Sequence, residues 1–371
     1  MPETTPVPPT PLPTATYLAK YLRPFAPWLT DPASTELSVN ADGRVWIRAV
    51  GDHAMRPVPE LHVAPGQARE LAAAIVGHAR GKLSKAAPLT SGKVEFEGRP
   101  MRAQVAVEPA VERGAAISIR LFGAGPPGGV VPSYLFGEPI SLAARRREAM
   151  REVRALSEHD LPGALARAVR LRLNIVISGG TDTGKTTQAQ HLLTRIDLAE
   201  RLVTIEDAFE LMPPQPNVVA LLAERRPDSP RSAHALLEAA LRLRPDRLVL
   251  GELRGPEALA YLEAINTGHG GSITTLHAET AELALDRLAL LVMQAGTPLT
   301  FAEVRAHVAR SIDIVVQLGQ HEGRRGVTEL FMPATDGEPA RHPDGARPRR
   351  ACPPPPAGPG GAGPRSEETP R

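Results

Sequence analysis

The residues whose types and spacing most clearly indicate chemistry are SGGTDTGKTT, Ser178 to Thr187, which fit the pattern G-x-x-x-x-G-K-[ST]. Glycines in this pattern let successive backbone N–H groups turn toward phosphate oxygens, and the following helix N-terminus adds partial positive charge. We therefore predict a nucleotide-binding loop in which Lys185 reaches the β and γ phosphates and the Thr186 hydroxyl binds Mg²⁺. The residues expected to contact nucleotide are Gly179, Gly180, Thr181, Asp182, Thr183, Gly184, Lys185, Thr186 and Thr187.

One of the four free positions of this loop holds a carboxylate, Asp182, where a polyanion is expected to bind. If the backbone has a positive φ there, aspartate is among the few residues other than glycine that tolerate it. Its negative charge is expected to weaken phosphate binding unless the side chain points away from the phosphates or has a cationic partner.

Carboxylates follow two further strand-like segments that come after this loop. The segment TIEDAFEL supplies Glu206, Asp207 and Glu210, and RLVLGELRG supplies Glu252 at the end of an apolar run. Adjacent strands of a parallel sheet end at the same edge, so these acids are expected beside the phosphate loop. An acid there can orient the attacking water or bind Mg²⁺ through water, and two such acids favour catalysis over helix capping.

The second half of the chain alternates strand-like and helix-like segments, which is typical of a parallel sheet with helices on its faces. LNIVIS (173–178) is a short buried strand that leads into the phosphate loop, and apolar residues at helical spacing follow the loop. Pro256 is expected to open one helix, and Thr300 with Glu303 to cap another. Further strands are predicted in RLVTIED, VVALLAE, RLVLGE and GSITTLHA, with IDIVVQL and GVTELFM as a closing hairpin.

The first half has a different pattern. Apolar residues from Tyr17 to Phe25 recur at helical spacing, and ARELAAAIVGHA is a second helical segment. TELSVN and RVWIRAV flank the polar turn at 40–43 as a predicted hairpin, and KVEFEG, MRAQVAV and AAISIRLF alternate as strands. These segments predict a small α+β domain with an antiparallel sheet.

Length and composition set outer limits on the class of protein. The net charge is only +2, from 43 basic and 41 acidic residues, so no overall field draws the chain to nucleic acid or anionic lipid. A single cysteine, Cys352, excludes an internal disulfide framework and a thiolate metal cluster. The first residues do not form a secretory signal, and no run reaches the roughly 18 apolar residues of a membrane span. We therefore expect a cytoplasmic protein.

A chain of 371 residues is too long for one ordinary core, so we predict two folded domains between two tails. Segments rich in proline and glycine mark their limits. The predicted ranges are 1–14 disordered, 15–121 an N-terminal α+β domain, 122–155 a linker, 156–335 an α/β domain, and 336–371 a disordered Pro/Gly/Arg-rich tail.

Four motifs in order between Gly179 and Thr280 resemble those of the secretion traffic ATPases, the hexameric motors of type IV and type II secretion and type IV pili. GGTDTGKTT is similar to the Walker A motif, TIEDAFEL to the aspartate box, LRLRPDRLVLGELRGPEA to the atypical Walker B motif, and TGHGGSITTLHAET to the histidine box. LRPFAPWLTDPASTELSVNADGRVWIR and EPAVERGAAISIRLF look like the N-terminal domain of the VirB-type branch. The resemblance implies an α/β fold with a RecA-like P-loop ATPase domain behind a smaller α+β domain.

The resemblance also implies roles for single residues. Glu252 corresponds to the Walker B acid, which is expected to bind Mg²⁺ through water, and Glu206 in the aspartate box is the other candidate for positioning the attacking water. The chemistry of a lone histidine assigns it no role, but the resemblance implies that His277 senses the γ-phosphate. Arg120 is the best match for an N-terminal arginine that closes over the nucleotide, and Arg102 a weaker one. Candidates for contacts with a neighbouring subunit are Arg242, Arg244 and Arg254.

These features together predict a homo-hexameric ATPase, with ATP and Mg²⁺, that powers type IV secretion or conjugative transfer of protein or DNA, or pilus biogenesis. The expected partners are inner-membrane secretion components, with peripheral location at the inner membrane, indirect handling of protein or nucleoprotein substrates and no stable nucleic-acid binding. One alternative is a type IV pilus or type II secretion motor. Another, suggested by Asp182, is a catalytically weak nucleotide-binding scaffold; a nucleic-acid translocase would require stimulation by DNA.

Overall fold

The structure, a computed structural model, describes residues 17–123, 132–226 and 228–336. Two β-sheets form its frame, one of six strands in the first half and one of seven in the second. The predicted tail at 1–14, nearly all of the tail predicted from 336 and residues 124–131 of the predicted linker lie outside the described residues. The predicted domain limits therefore stay predictions. Within the three described ranges, no helix has the length and apolar character needed to cross a membrane.

The sheet of the first half is antiparallel throughout, as predicted, with strand order β3-β2-β1-β6-β5-β4. Helices α1 (Tyr17–Leu22) and α2 (Ala26–Leu29) precede it, and α3 (Pro65–His78) packs its apolar side against the strands. The turn predicted at 40–43 closes a hairpin, with Gly43 N donating to Asn40 O at 2.9 Å. The strands are β1 (Ser34–Val39), β2 (Arg44–Ala49), β3 (Arg56–His62), β4 (Leu89–Phe96), β5 (Arg99–Val107) and β6 (Ala115–Leu121).

The sheet of the second half is parallel except for its closing hairpin, also as predicted, with strand order β13-β12-β7-β11-β10-β8-β9. Residues of β7, β8, β10 and β11 are all buried, because helices cover both faces of a parallel sheet. The strands are β7 (Ile175–Gly179), β8 (Leu202–Glu206), β9 (Val218–Leu222), β10 (Arg247–Leu250), β11 (Ile273–Leu276), β12 (Ile314–His321) and β13 (Arg324–Phe331).

Eight helices accompany the second sheet in the part of the chain that the structure describes. The predicted cap of α10 is present: Thr300 Oγ1 accepts from Glu303 N, while the Glu303 side chain accepts from Thr300 N at 2.8 Å. The helices are α4 (Leu142–Ser157), α5 (Leu161–Arg170), α6 (Lys185–Leu193), α7 (Ala233–Arg242), α8 (Glu257–Asn266), α9 (Ala281–Met293), α10 (Phe301–Ser311) and α11 (Pro333–Asp336).

Strand β3 and helices α5, α9 and α11 are not among the elements predicted from the sequence. Strand β3 contains two prolines, which a strand tolerates because it lies at the edge of the sheet. Helix α5 begins at a side-chain cap, Asp160, and α9 at another, Thr280. Both caps are visible in the sequence, but the apolar stripe of α9 is blurred because the exposed Leu283 and Leu290 lie outside its buried face.

The strand register brings four predicted functional segments to one edge of the second sheet. Strands β12, β7, β11, β10 and β8 are neighbours and all parallel, so their carboxyl ends lie side by side. The phosphate-type loop follows β7, His277 follows β11, Glu252 comes two residues after β10, and β8 ends at Glu206. This edge is where open α/β sheets bind ligands.

A fully buried arginine joins the hairpin turn of the first sheet to the second sheet. Arg201 Nη1 donates to Asn40 Oδ1 at 2.7 Å and also to Asn217 Oδ1, and Arg201 Nε donates to Leu243 O at 2.9 Å. Asn40 Nδ2 donates to the same Asn217 oxygen at 3.0 Å. Burial lowers the pKa of Arg201 to about 10. The guanidinium is thus held mainly by neutral oxygens from both halves of the chain.

We expect Arg201→Ala to lower the free energy of unfolding by about 3 kcal/mol, because buried acceptor oxygens of Asn40 and Leu243 lose their donor and a cavity forms. Urea unfolding followed by circular dichroism measures the change. Arg195→Ala is the control: Arg195 is exposed, and its loss should change stability by less than about 0.5 kcal/mol. Equal midpoints for the two variants would contradict the prediction.

Candidate active site

The predicted phosphate loop connects the buried strand β7 directly to the first turn of α6. Gly184 is the N-cap of this helix and has φ +91°, a conformation that glycine adopts without strain. A Cβ at Gly179 would lie 2.5 Å from Thr183 Oγ1 and 2.8 Å from Leu318 O, so no larger residue fits there. The loop therefore has the strand, glycine turn and helix that the phosphate-binding pattern requires.

Lys185 occupies the inside of the loop, where its ammonium group contacts backbone oxygens. Lys185 Nζ donates to Gly180 O at 2.6 Å and to Gly179 O at 3.1 Å, and it lies 3.3 Å from His277 Nδ1. Burial lowers the pKa of Lys185, and the positive charge of Arg254 acts in the same direction, while Glu252 raises it. A cation in this position would be stabilised by any anion that enters the loop.

Asp182 has the positive φ that its place in the loop suggested, +61°. Its carboxylate forms an ion pair with Arg325 of β13, a cationic partner that the sequence did not identify. The side chains are 72% and 49% exposed, so the pair adds little to stability. Its main effect is to neutralise the one negative charge that the loop itself carries.

Glu252 lies beside the phosphate loop between a histidine and an arginine. Its Oε2 accepts from Arg254 Nη2 at 2.5 Å, and its Oε1 lies 3.4 Å from His277 Nε2. The contact with Glu252 raises the pKa of Arg254. Arg254 Nη1 also lies 3.6 Å from Asp207 Oδ2, and Asp207 in turn pairs with Arg225 at 2.6 Å. Charges of opposite sign therefore alternate along this edge.

His277 connects the lysine to the acid. Its Nδ1 faces Lys185 Nζ and its Nε2 faces Glu252 Oε1. A protonated lysine can only donate, so Nδ1 is the acceptor and the imidazole proton lies on Nε2, toward the carboxylate. The histidine is thus positioned to respond when either neighbour changes its partner.

Glu206, the second predicted acid, is buried and has a full set of hydrogen bonds. Its Oε2 accepts from Glu210 N and Leu211 N, both at 2.8 Å, and its Oε1 accepts from Thr204 Oγ1 at 2.9 Å. These bonds fix the loop after β8. Of the two acids, Glu252 is the one with a carboxylate directed at other charged side chains, which favours it for chemistry.

A cavity of about 470 Å³ brings most of the predicted residues together. Arg225, Arg254 and Arg325 also line the cavity. Gly179 and Gly180 lie beneath the cavity and contribute the oxygens that hold Lys185. The predicted residues that line the cavity are Thr181, Asp182, Thr183, Gly184, Lys185, Thr186, Thr187, Glu206, Glu252 and His277.

Of the predicted catalytic residues, Arg120 is the one that does not line this cavity. It lies on β6, beside a separate cavity of about 110 Å³ that also contains Arg102, Arg242 and Arg244. Glu36 faces the same cavity, and burial raises the pKa of its carboxyl group although a hydrogen bond from Ser118 opposes the shift. A role for Arg120 at a nucleotide therefore stays a prediction that requires another chain or a domain movement.

Arg325 is one of two charged residues of the cavity that sequence analysis missed, and Arg225 is the other. The place of Arg325 follows from strand register: β12 pairs Leu318 with Gly179 and continues past the end of β7, and β13 returns with Arg325 opposite Gln320. The hairpin was predicted, but one arginine on it carries no signal of its own. Only the pairing of β12 with β7 and β13 in the structure shows that Arg325 lies over the loop.

Comparisons with known proteins agree with this geometry. Residues 129–333 match the protein family described as "Type II/IV secretion system protein". Type IV secretion system protein VirB11 of Brucella suis biovar 1 is 34% identical over 328 residues, 84% of this chain and 89% of that protein. VirB11 of Bartonella quintana is 42% identical over 181 residues, 48% of this chain, and the match spans about half, 51%, of that relative's length.

A solved structure has the same fold. The crystal structure of the VirB11 ATPase from the Brucella suis type IV secretion system, in complex with sulphate, has a TM-score of 0.72 and 32% identity. The match covers 85% of this chain and 97% of that one. The predicted fold class, an antiparallel N-terminal domain followed by a mostly parallel α/β domain, is confirmed.

We expect the affinity of the loop for ADP to fall at alkaline pH, because burial places the pKa of Lys185 below its ordinary value of 10.5. Bound phosphates favour the protonated amine, so binding is strongest while Lys185 is charged and weakens as pH rises through its lowered pKa. Calorimetry between about pH 7 and 10 tests this, with Lys185→Arg as the control because a guanidinium keeps its charge. An equal pH dependence in both proteins would contradict the prediction.

Proposed function

We propose a function from the premise that this chain belongs to the type II/IV secretion ATPase family, in the VirB11 branch of type IV secretion systems. The chain binds and hydrolyses ATP, and the cycle of binding and release drives a type IV secretion machine. The observation that carries this proposal is the contact of Lys185, inside the phosphate loop, with His277, which in turn contacts the acid Glu252.

Phosphate binding relies on groups that the loop already directs inward. The N-terminus of α6 supplies backbone N–H groups and partial positive charge to the β and γ phosphates. Lys185 exchanges its bonds to the Gly179 and Gly180 oxygens for bonds to phosphate oxygens, which recovers the cost of holding a buried cation against neutral carbonyls. The hydrogen bonds of Lys185 to phosphate oxygens are therefore more favourable than its bonds to the Gly179 and Gly180 oxygens.

Glu252 acts on the attacking water in this proposal. Its carboxylate accepts a hydrogen bond from the water and orients it toward the γ-phosphate, and it receives the proton that the water loses. Arg254, at 2.5 Å, holds the carboxylate in place. Glu206, the alternative acid, supports the site from below through the loop that it fixes.

The site fits Mg²⁺ as an ion held largely by the nucleotide. Among the described residues there is no group of three or more His, Cys, Asp or Glu side chains that could hold a metal. Mg²⁺ usually takes one or two protein oxygens and completes its shell with phosphates and water, which the Thr186 hydroxyl and, through water, Glu252 can supply. When bound, the ion neutralises charge that develops on the phosphates.

His277 transmits the state of the site to the rest of the chain. Bound phosphate withdraws Lys185 from Nδ1, and water at Glu252 competes with Nε2, so both partners of the imidazole change together. This is the physical basis for its proposed role as a γ-phosphate sensor. We expect this change in the contacts of His277 to alter the packing between the two sheets.

Arg120 fits a ring of six subunits in which its cavity faces the nucleotide of a neighbouring chain. Arg102, Arg120 and Arg244 form no ion pair with any described residue although they stand around the buried Glu36. Arginines without partners are suited to an incoming polyanion. Arg242 lies beside them, and Arg254 contacts the chain's own Glu252 instead.

The proposed setting is the cytoplasmic face of the inner membrane, where the hexamer binds components of the secretion machine peripherally. Protein or nucleoprotein substrates are then handled through those components rather than by stable nucleic-acid binding, in keeping with the net charge of +2. The VirB11 branch argues against a dedicated pilus or type II motor. The residue that suggested an inactive scaffold, Asp182, has its charge balanced by Arg325.

We expect Lys185→Ala to reduce ATP hydrolysis by at least about 100-fold, because the loop loses the only cation that it places at the phosphates from within. A coupled phosphate-release assay measures turnover, and circular dichroism shows whether the variant is folded. Substantial turnover by the folded variant would rule out this site as the ATPase centre.

Glu252→Gln should bind ATP with an affinity within about threefold of the native chain but hydrolyse it at least about 100-fold more slowly, because an amide cannot accept the proton. Fluorescent-nucleotide titration and phosphate release give the two values. Glu210→Gln is the matched control, an exposed acid that lines the same cavity. If both substitutions slow turnover equally, Glu252 is not the acid that acts on water.

A further inference from the structure

The geometry points to Arg325 as a further phosphate ligand. Asp182 holds Arg325 beside the loop until the phosphates of a nucleotide replace Asp182 as its partner. This inference rests on the proposed nucleotide site and adds a residue to it. It also gives a role to the carboxylate that otherwise contradicts the chemistry of the loop: Asp182 keeps Arg325 at the phosphates' entrance rather than opposing their binding.

The position of Arg325 is built into the sheet. Strand β12 runs parallel to β7 and pairs Leu318 with Gly179, the last residue before the loop. It then extends to His321, and the turn at Glu322 and Gly323 returns the chain so that Arg325 pairs with Gln320. A hairpin that continues past the end of β7 thus holds one guanidinium above the loop.

The contact between Arg325 and Asp182 is suited to being exchanged. Both side chains are exposed in large part, so water screens their attraction and little is lost when they separate. A nucleotide presents several negative charges and phosphate oxygens that match the fork of a guanidinium. Arg325 already lines the cavity that contains Lys185, so its head group can change partners without movement of the strand.

The other arginines of the cavity have different partners. Arg254 is bound to Glu252 at 2.5 Å, and Arg225 to Asp207 at 2.6 Å, on the side of the cavity away from the hairpin. Arg325 is the arginine whose acid is part of the phosphate loop. Phosphate binding at the loop therefore competes directly with its present partner.

A simpler account is that Arg325 only neutralises Asp182 and never touches phosphate. The two accounts differ in a chain without the carboxylate. If Arg325 binds phosphate, its loss still weakens binding when Asp182 has been replaced by Asn. If it is only a counterion, it becomes irrelevant once the charge of Asp182 is gone.

The test is a double-mutant cycle on the full chain, with ATP and AMP affinities measured by competition against a fluorescent nucleotide. Arg325→Gln should weaken ATP binding about tenfold, the usual effect of losing a hydrogen bond to a charged group, and leave AMP binding unchanged. Asp182→Asn should bind ATP at least as tightly as the native chain. The double variant should bind ATP about tenfold more weakly than Asp182→Asn alone.

Arg324→Gln is the matched control, because Arg324 is the neighbouring residue on β13, points to the other side of the strand and makes no ion pair within the described residues. Its ATP affinity should equal that of the native chain. The inference is overturned if the double variant binds ATP as tightly as Asp182→Asn, or if Arg325→Gln weakens ATP and AMP alike.

Failure of the proposed function is a separate result. If the native chain, Asp182→Asn and Lys185→Ala all lack measurable ATP binding, the nucleotide site itself is wrong and Arg325 has no phosphate to bind. If Lys185→Ala abolishes binding while Arg325→Gln has no effect, the nucleotide site stands and only the inference about Arg325 fails.

Discussion

The rest of the active-site edge depends on one buried cation, the ammonium group of Lys185. The loop that contains it offers only the oxygens of Gly179 and Gly180 as hydrogen-bond acceptors, and burial lowers its pKa. A buried charge needs compensation, and here the nearest full negative charge, Glu252, is separated from it by the ring of His277. Among the described residues no acid forms an ion pair with Lys185, so a bound phosphate would supply the compensating charge.

Charges of alternating sign extend from this lysine across the carboxyl edge of the sheet, so that each group is held by the next. The bridging imidazole makes the lysine and the acid parts of one connected line. A polyanion that binds at one end changes the electrostatic balance of every contact along it. The line contains, in order, Lys185, His277, Glu252, Arg254, Asp207 and Arg225.

Much of this arrangement could be predicted from sequence because it rests on local patterns. A short apolar run before a glycine-rich loop gave β7 and the start of α6, and apolar runs that end in acids placed Glu252 and Glu206 at the same edge. The contacts that could not be predicted join residues far apart in the chain. Arg325 meets Asp182 across 143 residues, and strand register decides that contact. Arg201 meets Asn40 across 161 residues, and there the packing of the hairpin turn of the first sheet against the second sheet decides the contact. The hydrogen bonds that Glu206 accepts from backbone N–H groups likewise depend on how the loop after β8 folds back.

We propose that this edge is a working nucleotide site whose lysine exchanges backbone oxygens for phosphates. The most direct test is an experimental structure of the chain with Mg²⁺ and a non-hydrolysable ATP analogue. We expect phosphates at residues 181–187 with Lys185 Nζ bound to them, and Glu252 facing the γ-phosphate through water. A nucleotide bound elsewhere, or a lysine that keeps its bonds to Gly179 and Gly180 beside bound nucleotide, would contradict it.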